Sequence, residues 1–346
     1  MSETARKWTF FRFEKMLPSM QEKIVGWGVV GPGAIARKFA RDLRVAQGGH
    51  LRAVAGRDHS RAKAFGEEFG AARACDNILA LAEDPSVDIV YIATPHSAHF
   101  AAARILLQHG KHVLIEKPMT VNAAQARELI SIARANRVFL MEAMWTRFLP
   151  VYRRVRKWID EGRIGKCRCV TSSFCIRGNQ DPSSRLMNLD LAGGGLLDLG
   201  VYNLAMTQFV FGGKPDRIHA SANFAETGAD EMLSVSLGYR NAIAQFACGF
   251  AALGDNSLII AGEAGWVRVP ATFISAQEAT LTVGSDTETI REPFRGEGFE
   301  YEIEEAMRCL RSGEIESPVM PLADSLETVV IMDEIRSQIG LRYPFE

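Results

Sequence analysis

What the chain lacks narrows it quickly. No apolar run approaches the ~20 residues that a helix needs to cross a bilayer. Positive charge is not in excess: 40 Lys and Arg stand against 41 Asp and Glu, for a formal net charge of −1. A nucleic-acid partner held by counterion release needs a basic face, and this balance argues against one. Cysteine is sparse, with six in 346 residues, and no CxxC pair occurs. Cys167 and Cys169 stand two apart in a predicted strand, with Cys175 after a longer gap. None of the six comes with the histidine-bearing ligand loops of a metal site. Six reduced thiols, no metal and a cytoplasmic location are expected. Internal repeats and low-complexity segments are absent as well.

What is present fits two domains. Hydrophobic residues make up 47% of the chain and charged residues 23%, enough for sizeable cores without staples. Residues 1–22 read as an extension. Trp8, Phe10, Phe11 and Phe13 alternate there with Lys7, Arg12 and Lys15, and the apolar centre of a signal peptide is missing. Over 23–143, short apolar strands at 24–30, 51–55, 88–93, 111–115 and 138–141 alternate with helices at 34–45, 60–69, 78–82, 97–109 and 123–136. Ser60 is the candidate cap of the second helix. Such alternation makes a doubly wound parallel sheet covered on both faces, a Rossmann-type α/β domain.

Over 144–346 the rhythm changes. A helix at 151–161 precedes alternating stretches at 167–176, 217–225, 231–237, 242–249, 256–262 and 265–269, with one amphipathic helix near 196–211. These describe an α+β domain with a large open, mostly antiparallel sheet and helices on one face. Helices at 301–311 and 322–339 close the chain, the last expected to pack back on the first domain.

Gly31-Pro32-Gly33-Ala34-Ile35-Ala36 reads G-x-G-x-x-A between the first strand and the first helix. The first glycine permits the turn, the second lets a pyrophosphate approach the backbone, and the small Ala36 allows close packing. The free N–H groups and the positive helix end then hold the phosphates. At the end of the second strand an acidic residue would take the ribose hydroxyls of NAD. Gly56 stands there instead, followed by Arg57 and, one turn on, Arg61. Both suit a 2′-phosphate, so NADP is expected over NAD. Asp58 is either a helix cap or a ribose ligand.

Two further segments carry chemistry. Glu116-Lys117-Pro118 comes after the fourth expected strand, at the carboxyl edge of the sheet. Lys117 is a substrate contact or an ordinary surface lysine. Gly193-Gly194-Gly195-Leu-Leu-Asp198-Leu-Gly200-Val-Tyr202 puts a carboxylate and a phenol four apart, on one helix face. A nearby ammonium would bring the tyrosine down from ~10 towards working pH and equip it for proton transfer. A capping aspartate and a core tyrosine explain the same spacing.

Together the three motifs resemble the Gfo/Idh/MocA oxidoreductase family from about Lys23 onward. The segments 140–148 and 316–322 are most similar to its dihydrodiol dehydrogenase and NADP-dependent D-xylose dehydrogenase branch. Tyr202, where most of the family has histidine, points to the same branch. The resemblance implies roles. Tyr202 is the acid/base, Lys117 assists it at the reacting hydroxyl, and Asp198 orients the substrate. Ala93, Thr94, His96, His99 and Glu116 line the cofactor. Trp145 packs by both nicotinamide and substrate, Tyr301 reaches back to the cofactor, and Arg185 is a substrate candidate. A homodimer or higher homo-oligomer through the C-terminal sheet is implied as well. The expected function is an NADP(H)-dependent oxidoreductase acting on a sugar, cyclic polyol or trans-dihydrodiol. Its rivals are a non-catalytic NADP sensor of the same fold and redox-neutral sugar chemistry with a tightly held cofactor.

Overall fold

A computed structural model describes residues 24–346, and the expected extension at 1–22 lies outside the described residues. The first part of the chain runs β1 (Val25–Val30), α1 (Ala34–Leu43), β2 (Gly49–Ala55), α2 (His59–Phe69), β3 (Arg73–Cys75), α3 (Ile78–Ala82), β4 (Ile89–Ile92), α4 (His96–Gln108), β5 (His112–Glu116), α5 (Ala123–Asn136) and β6 (Leu140–Ala143). Its six strands are parallel, in the order β3-β2-β1-β4-β5-β6. Every residue of β1, β4 and β6 is buried, as a sheet covered on both faces demands. Trp27 of β1 meets Phe39 of α1 edge-on, and Phe39 stacks on Tyr91 of β4 with centroids 3.9 Å apart. The strand order reverses between β1 and β4, and ligands of such sheets bind at the carboxyl ends there.

Two local expectations need correction. β3 is an additional edge strand of only three residues, too short to show a period. Helix α2 is capped by Asp58 rather than Ser60: the Asp58 carboxylate accepts the Arg61 N–H at 3.1 Å.

The chain then makes a 3₁₀ turn (Trp145–Phe148) and α6 (Pro150–Asp160) before β7 (Cys167–Cys175) enters a second sheet. A π-helical turn (Leu196–Gly200) leads into α7 (Val201–Phe211), followed by β8 (Arg217–Phe224), β9 (Asp230–Tyr239), β10 (Ala242–Gly249), β11 (Leu258–Gly262) and β12 (Gly265–Val269). Last come β13 (Glu278–Val283), β14 (Asp286–Arg291), α8 (Glu300–Arg311) and α9 (Leu322–Ile339). The order is β14-β13-β12-β11-β7-β10-β9-β8, antiparallel except for the parallel pair β7–β10.

The β13–β14 hairpin was not among the expected strands. Its signal is Gly284-Ser285 between two alternating runs, with Gly284 at φ 58°. Only Ala279, Leu281 and Ile290 of these strands are buried, so the apolar alternation is faint. Helix α7 is not amphipathic in use, because every residue from Val201 to Val210 is buried. It lies between the second sheet, the Trp145–Phe148 turn and α9. Asn203 Nδ2 donates to Ser172 Oγ at 2.8 Å, Arg147 donates to Ala205 O at 2.9 Å, and Thr328 Oγ1 donates to Gln208 Oε1 at 2.7 Å.

Helix α9 touches both sheets. Asp333 accepts the Ala123 N–H at 2.8 Å, Gln338 donates to Ile218 O at 3.0 Å, and Leu322 belongs to the core on one face of the first sheet. All six cysteines are unbonded. Among the described residues no helix is long and apolar enough to cross a membrane, and no group of ligating side chains could hold a metal ion.

Candidate active site

The turn after β1 is shaped by what it leaves open. Gly31 has φ 90°, and a Cβ on it would stand 2.8 Å from Ala93 O at the end of β4. Gly33 precedes α1, and a Cβ there would meet nothing nearer than Gly31 O at 4.0 Å. The first bond of α1 runs from Arg37 N–H to Gly33 O at 3.2 Å. The amides of Ala34, Ile35 and Ala36 thus have no intrahelical acceptor. No side chain caps the helix and no acidic residue occupies its first turn. Open space above an uncapped helix start fits a pyrophosphate. Ala36 is fully buried against the sheet, while Ile35 is exposed.

Beside this cradle a Cβ on Gly56 would meet Pro32 Cδ at 2.9 Å, so the position after β2 has no room for a carboxylate. Asp58 is committed to capping α2. Arg57 and Arg61 are exposed, and among the described residues neither side chain has a hydrogen-bond or ion-pair partner. Two unpaired guanidinium groups at the ribose edge suit a phosphate.

The second cluster forms where β5 meets the π-helical turn before α7. Lys117 Nζ donates to Asp198 O at 2.7 Å and to Asp198 Oδ1 at 2.9 Å. Its ammonium stands 4.8 Å from the centre of the Tyr202 ring. Arg185 donates to Asp198 Oδ2 at 3.2 Å from a half-exposed side chain. Trp145 Nε1 donates to the Tyr202 hydroxyl at 3.2 Å. Burial opposes ionisation of Asp198, but Lys117 and Arg185 outweigh it and hold the carboxylate well below its ordinary range. Burial likewise opposes the charge of Lys117, and Asp198 overturns that, keeping the ammonium charged.

Tyr202 departs from expectation. Burial, helped by Glu116, pushes it up to about 12 against the opposing pull of Lys117 and Trp145. The resting phenol is therefore protonated. Its oxygen accepts from Trp145, and its own O–H has no acceptor among the described residues.

The remaining predicted residues fall into two groups. His96 is neutral, pushed down to about 3 by burial with help from Lys117. Its Nδ1 faces Ala192 O at 3.2 Å and its Nε2 lies 3.7 Å from Asp198 Oδ1. His99 lies with its ring nitrogens 2.9 Å from Pro118 O and from Thr94 O, linking the Lys117–Pro118 turn to the loop after β4. The Thr94 hydroxyl in that loop is buried without a partner among the described residues, which leaves a donor and acceptor for a cofactor.

Glu116 turns inward rather than to the cradle. It accepts from the Tyr91 hydroxyl and from the Lys117 N–H at 3.1 Å. Tyr301 is one ring removed from Trp145, against Phe294 and with Arg295 4.9 Å from its ring centre.

Sequence reasoning missed the other side of Trp145. Lys38 of α1 places its ammonium 3.9 Å from the Trp145 ring centre and 4.5 Å from that of Phe299. Gly298 has φ 104°, and a Cβ there would be 2.6 Å from Trp145 Cζ3. Behind them Glu302 is fully buried, and among the described residues neither of its carboxylate oxygens has a hydrogen-bond partner. Burial and the neighbouring Glu116 push it well above the usual carboxylate range. No local pattern announces these residues, because each acts across elements.

Two family models match the chain. One, described as an oxidoreductase family with an NAD-binding Rossmann fold, covers residues 25–144, and a GFO/IDH/MocA C-terminal domain covers 152–268. A trans-1,2-dihydrobenzene-1,2-diol dehydrogenase from Mus musculus is 36% identical over 330 residues, spanning 92% of this chain and 98% of the relative. Its namesake from Bos taurus is 37% identical with the same coverage. Among solved structures, a 3-ketoreductase from Actinomadura kijaniata, in complex with NADP and TDP-benzene, is similar with a TM-score of 0.81 and 28% identity over 91% of this chain and 98% of that one. An aldose-aldose oxidoreductase from Caulobacter crescentus, 22% identical, shares the fold with a TM-score of 0.85 over 92% of this chain and 98% of its own.

Proposed function

The chain belongs to the Gfo/Idh/MocA oxidoreductase family, and from that premise we propose that it is an NADP(H)-dependent dehydrogenase or reductase. It exchanges a hydride with a carbinol or carbonyl carbon of a sugar, cyclic polyol or trans-dihydrodiol. The observation that carries this reading is the Tyr202 hydroxyl: buried, protonated, supplied by Trp145, and with its own proton unspent beside Lys117.

The bound nicotinamide supplies the hydride donor or acceptor. Gly31, Gly33 and the start of α1 hold the pyrophosphate, and Arg57 with Arg61 takes the 2′-phosphate. In reduction the Tyr202 O–H gives its proton to the substrate oxygen. Lys117 has spent two of its three N–H groups on Asp198 and turns the third to the same oxygen, stabilising charge that develops there. Asp198 keeps the ammonium in place, and Arg185 at the rim meets the rest of the substrate. In oxidation the same proton returns to Tyr202. That the relatives include dihydrodiol dehydrogenases and an NADP-bound 3-ketoreductase supports an oxidoreductase reading.

The test is reduction of NADP⁺ and of NAD⁺, side by side, against a panel of aldoses, inositols and trans-diols. Turnover with NADP⁺ preferred is expected. Replacing Arg57 and Arg61 together by alanine should lower that preference about 10- to 100-fold, the size of one or two charge-assisted hydrogen bonds. A wild-type preference for NAD⁺ would remove the cofactor assignment. Silence across the panel with NADPH tightly bound would favour a regulatory sensor.

The six free thiols suit a reducing compartment, in keeping with a cytoplasmic enzyme. The eight-stranded sheet offers a broad face for a homodimer, for which sedimentation at twice the chain mass is the check. A monomer at micromolar concentration would refute it.

A further inference from the structure

The triple glycine at 193–195 reads in the sequence as room for a ligand, but the fold gives part of that room to a side chain. Asp230, the first residue of β9, is fully buried beneath the turn. Its Oδ2 accepts the Leu196 N–H at 2.6 Å, and the Gly195 N–H also faces the carboxylate. Gly194 has φ 128°, and a Cβ on it would stand 1.9 Å from Asp230 Oδ1. A Cβ on Gly193 would collide with Leu186 O at 2.7 Å, and one on Gly195 would crowd Gly249 Cα at 3.1 Å. The glycines are thus required by close packing on both sides. Asp230 Oδ1 is buried without a hydrogen-bond partner among the described residues.

This cap sits at the head of the reacting helix. Leu196 opens the π-helical turn that contains Asp198, and α7 continues through Tyr202. A carboxylate that binds the first amides of a helix satisfies donors that would otherwise be orphaned, and so fixes where the helix begins. Rotating or sliding that start displaces Asp198 and Tyr202 together.

We propose that Asp230 is a positioning residue for hydride transfer: its carboxylate, clamped under the glycine turn, fixes the start of the helix that carries Asp198 and Tyr202 and so sets both against Lys117. This rests on the roles proposed for those three residues.

The groups that face Asp230 come from three places. Arg336 of α9 pulls its carboxyl down, while Cys248 of β10 and Tyr343 after α9 are neutral neighbours. Tyr343 also donates to Gly193 O at 3.3 Å, bracing the same turn. Burial outweighs Arg336 and the backbone donors and pushes Asp230 up to about 7.

Stability and turnover should respond to pH with opposite signs. The folded state holds this proton more tightly than the unfolded chain does. Stability from this group is therefore present at acid pH and falls as pH rises from the ordinary carboxylate range to about 7. Turnover goes the other way, because the charged carboxylate is the better acceptor for the capping amides. It should rise through the same window.

The experiment uses the NADP-loaded full chain with Asp230→Asn, Asp230→Ala and Gly194→Ala. With a substrate in hand, Asp230→Asn should bind NADPH as the wild type does and hold KM within about threefold. Its kcat should fall about 10- to 100-fold, the cost of a slight misplacement of reacting groups, and lose its rise near pH 7. Amide hydrogen exchange over 196–202 needs no substrate and should quicken at least about tenfold in Asp230→Asn and Gly194→Ala. Asp230→Ala is the harsher variant, and the isosteric Asp230→Asn decides the matter if alanine prevents folding. Unchanged exchange over 196–202, or quickened exchange with wild-type kcat and pH profile, would overturn the proposal. Normal turnover in Tyr202→Phe would instead overturn the acid/base reading, leaving the exchange result to judge the hold of Asp230 on the helix.

Discussion

Replacing Tyr202 by phenylalanine is expected to lower kcat by about two to four orders of magnitude, the usual worth of a positioned acid or base, while NADPH binds as before. The substitution removes one oxygen. Tyr202 touches Trp145 through that oxygen and Phe174 through its ring, with centroids 5.7 Å apart, so the packing survives. What is lost is an O–H beside Lys117 that has no acceptor among the described residues. Because the phenol is pushed up to about 12, its proton is in place throughout the neutral range and its phenolate form is scarce there. Reduction should be nearly flat between about pH 6 and 9, apart from the limb assigned to Asp230, whereas oxidation should climb steadily through the alkaline range. Both profiles, measured in wild type and Tyr202→Phe, check the assignment. A variant within threefold of wild type in both directions would end it.

Lys117→Met should cost both activity and stability. Lys117 and Asp198 are about one-tenth exposed, and their pairing is what keeps a charged carboxylate acceptable in that environment. Removing one partner of a buried pair typically costs about 3–5 kcal/mol. Arg185 remains on Asp198 Oδ2, so the lower end is expected. In the wild type Asp198 lies below its ordinary range, and its contribution is present above the unfolded value and lost only as pH falls far into acid. Without Lys117, burial dominates and the carboxyl moves up, so the variant should lose less stability at about pH 4 than at about pH 7. Urea denaturation at both values is the measurement. The double variant Lys117→Met with Asp198→Asn should recover much of the stability and none of the turnover. If the single variant is as stable as the wild type, or the double one turns over, the ion pair does not hold the site together.

Much of this was legible in the chain because local spacing encodes it. Gly31, Gly33 and Ala36 sit between a buried strand and a helix, and that context alone points to a phosphate. Lys117 stands just past a strand end, and Asp198 with Tyr202 shares a helix. Tertiary pairings were not legible. Asp230 is an ordinary aspartate between a turn and a strand until the glycines fold over it. Lys38 lies on a Rossmann helix and reaches Trp145 only in three dimensions. In α7, Asn203, Thr207 and Gln208 make a polar stripe that imitates a solvent face. Each is buried: Asn203 bonds Ser172, Thr207 bonds Asn203 O, and Gln208 bonds Thr328. The spacing of Asp198 and Tyr202 carries no sign of how deeply the phenol is buried, and that burial outweighs the lowering pull of Lys117 on it.

The span of α9 bears on how the molecule is made. The cofactor half is synthesised first, and a chain leaving the ribosome could be imagined to finish that half before the rest appears. Its core says otherwise. Leu322 fills one face of the first sheet, Asp333 holds the first amide of α5, and Glu346 takes a hydrogen bond from Asn122 at 2.9 Å. All three come from the far end of the sequence. The nucleotide-binding half is begun early and completed late, so its final consolidation waits on residues translated after the entire second sheet. Contacts this distant along the chain make for slow assembly.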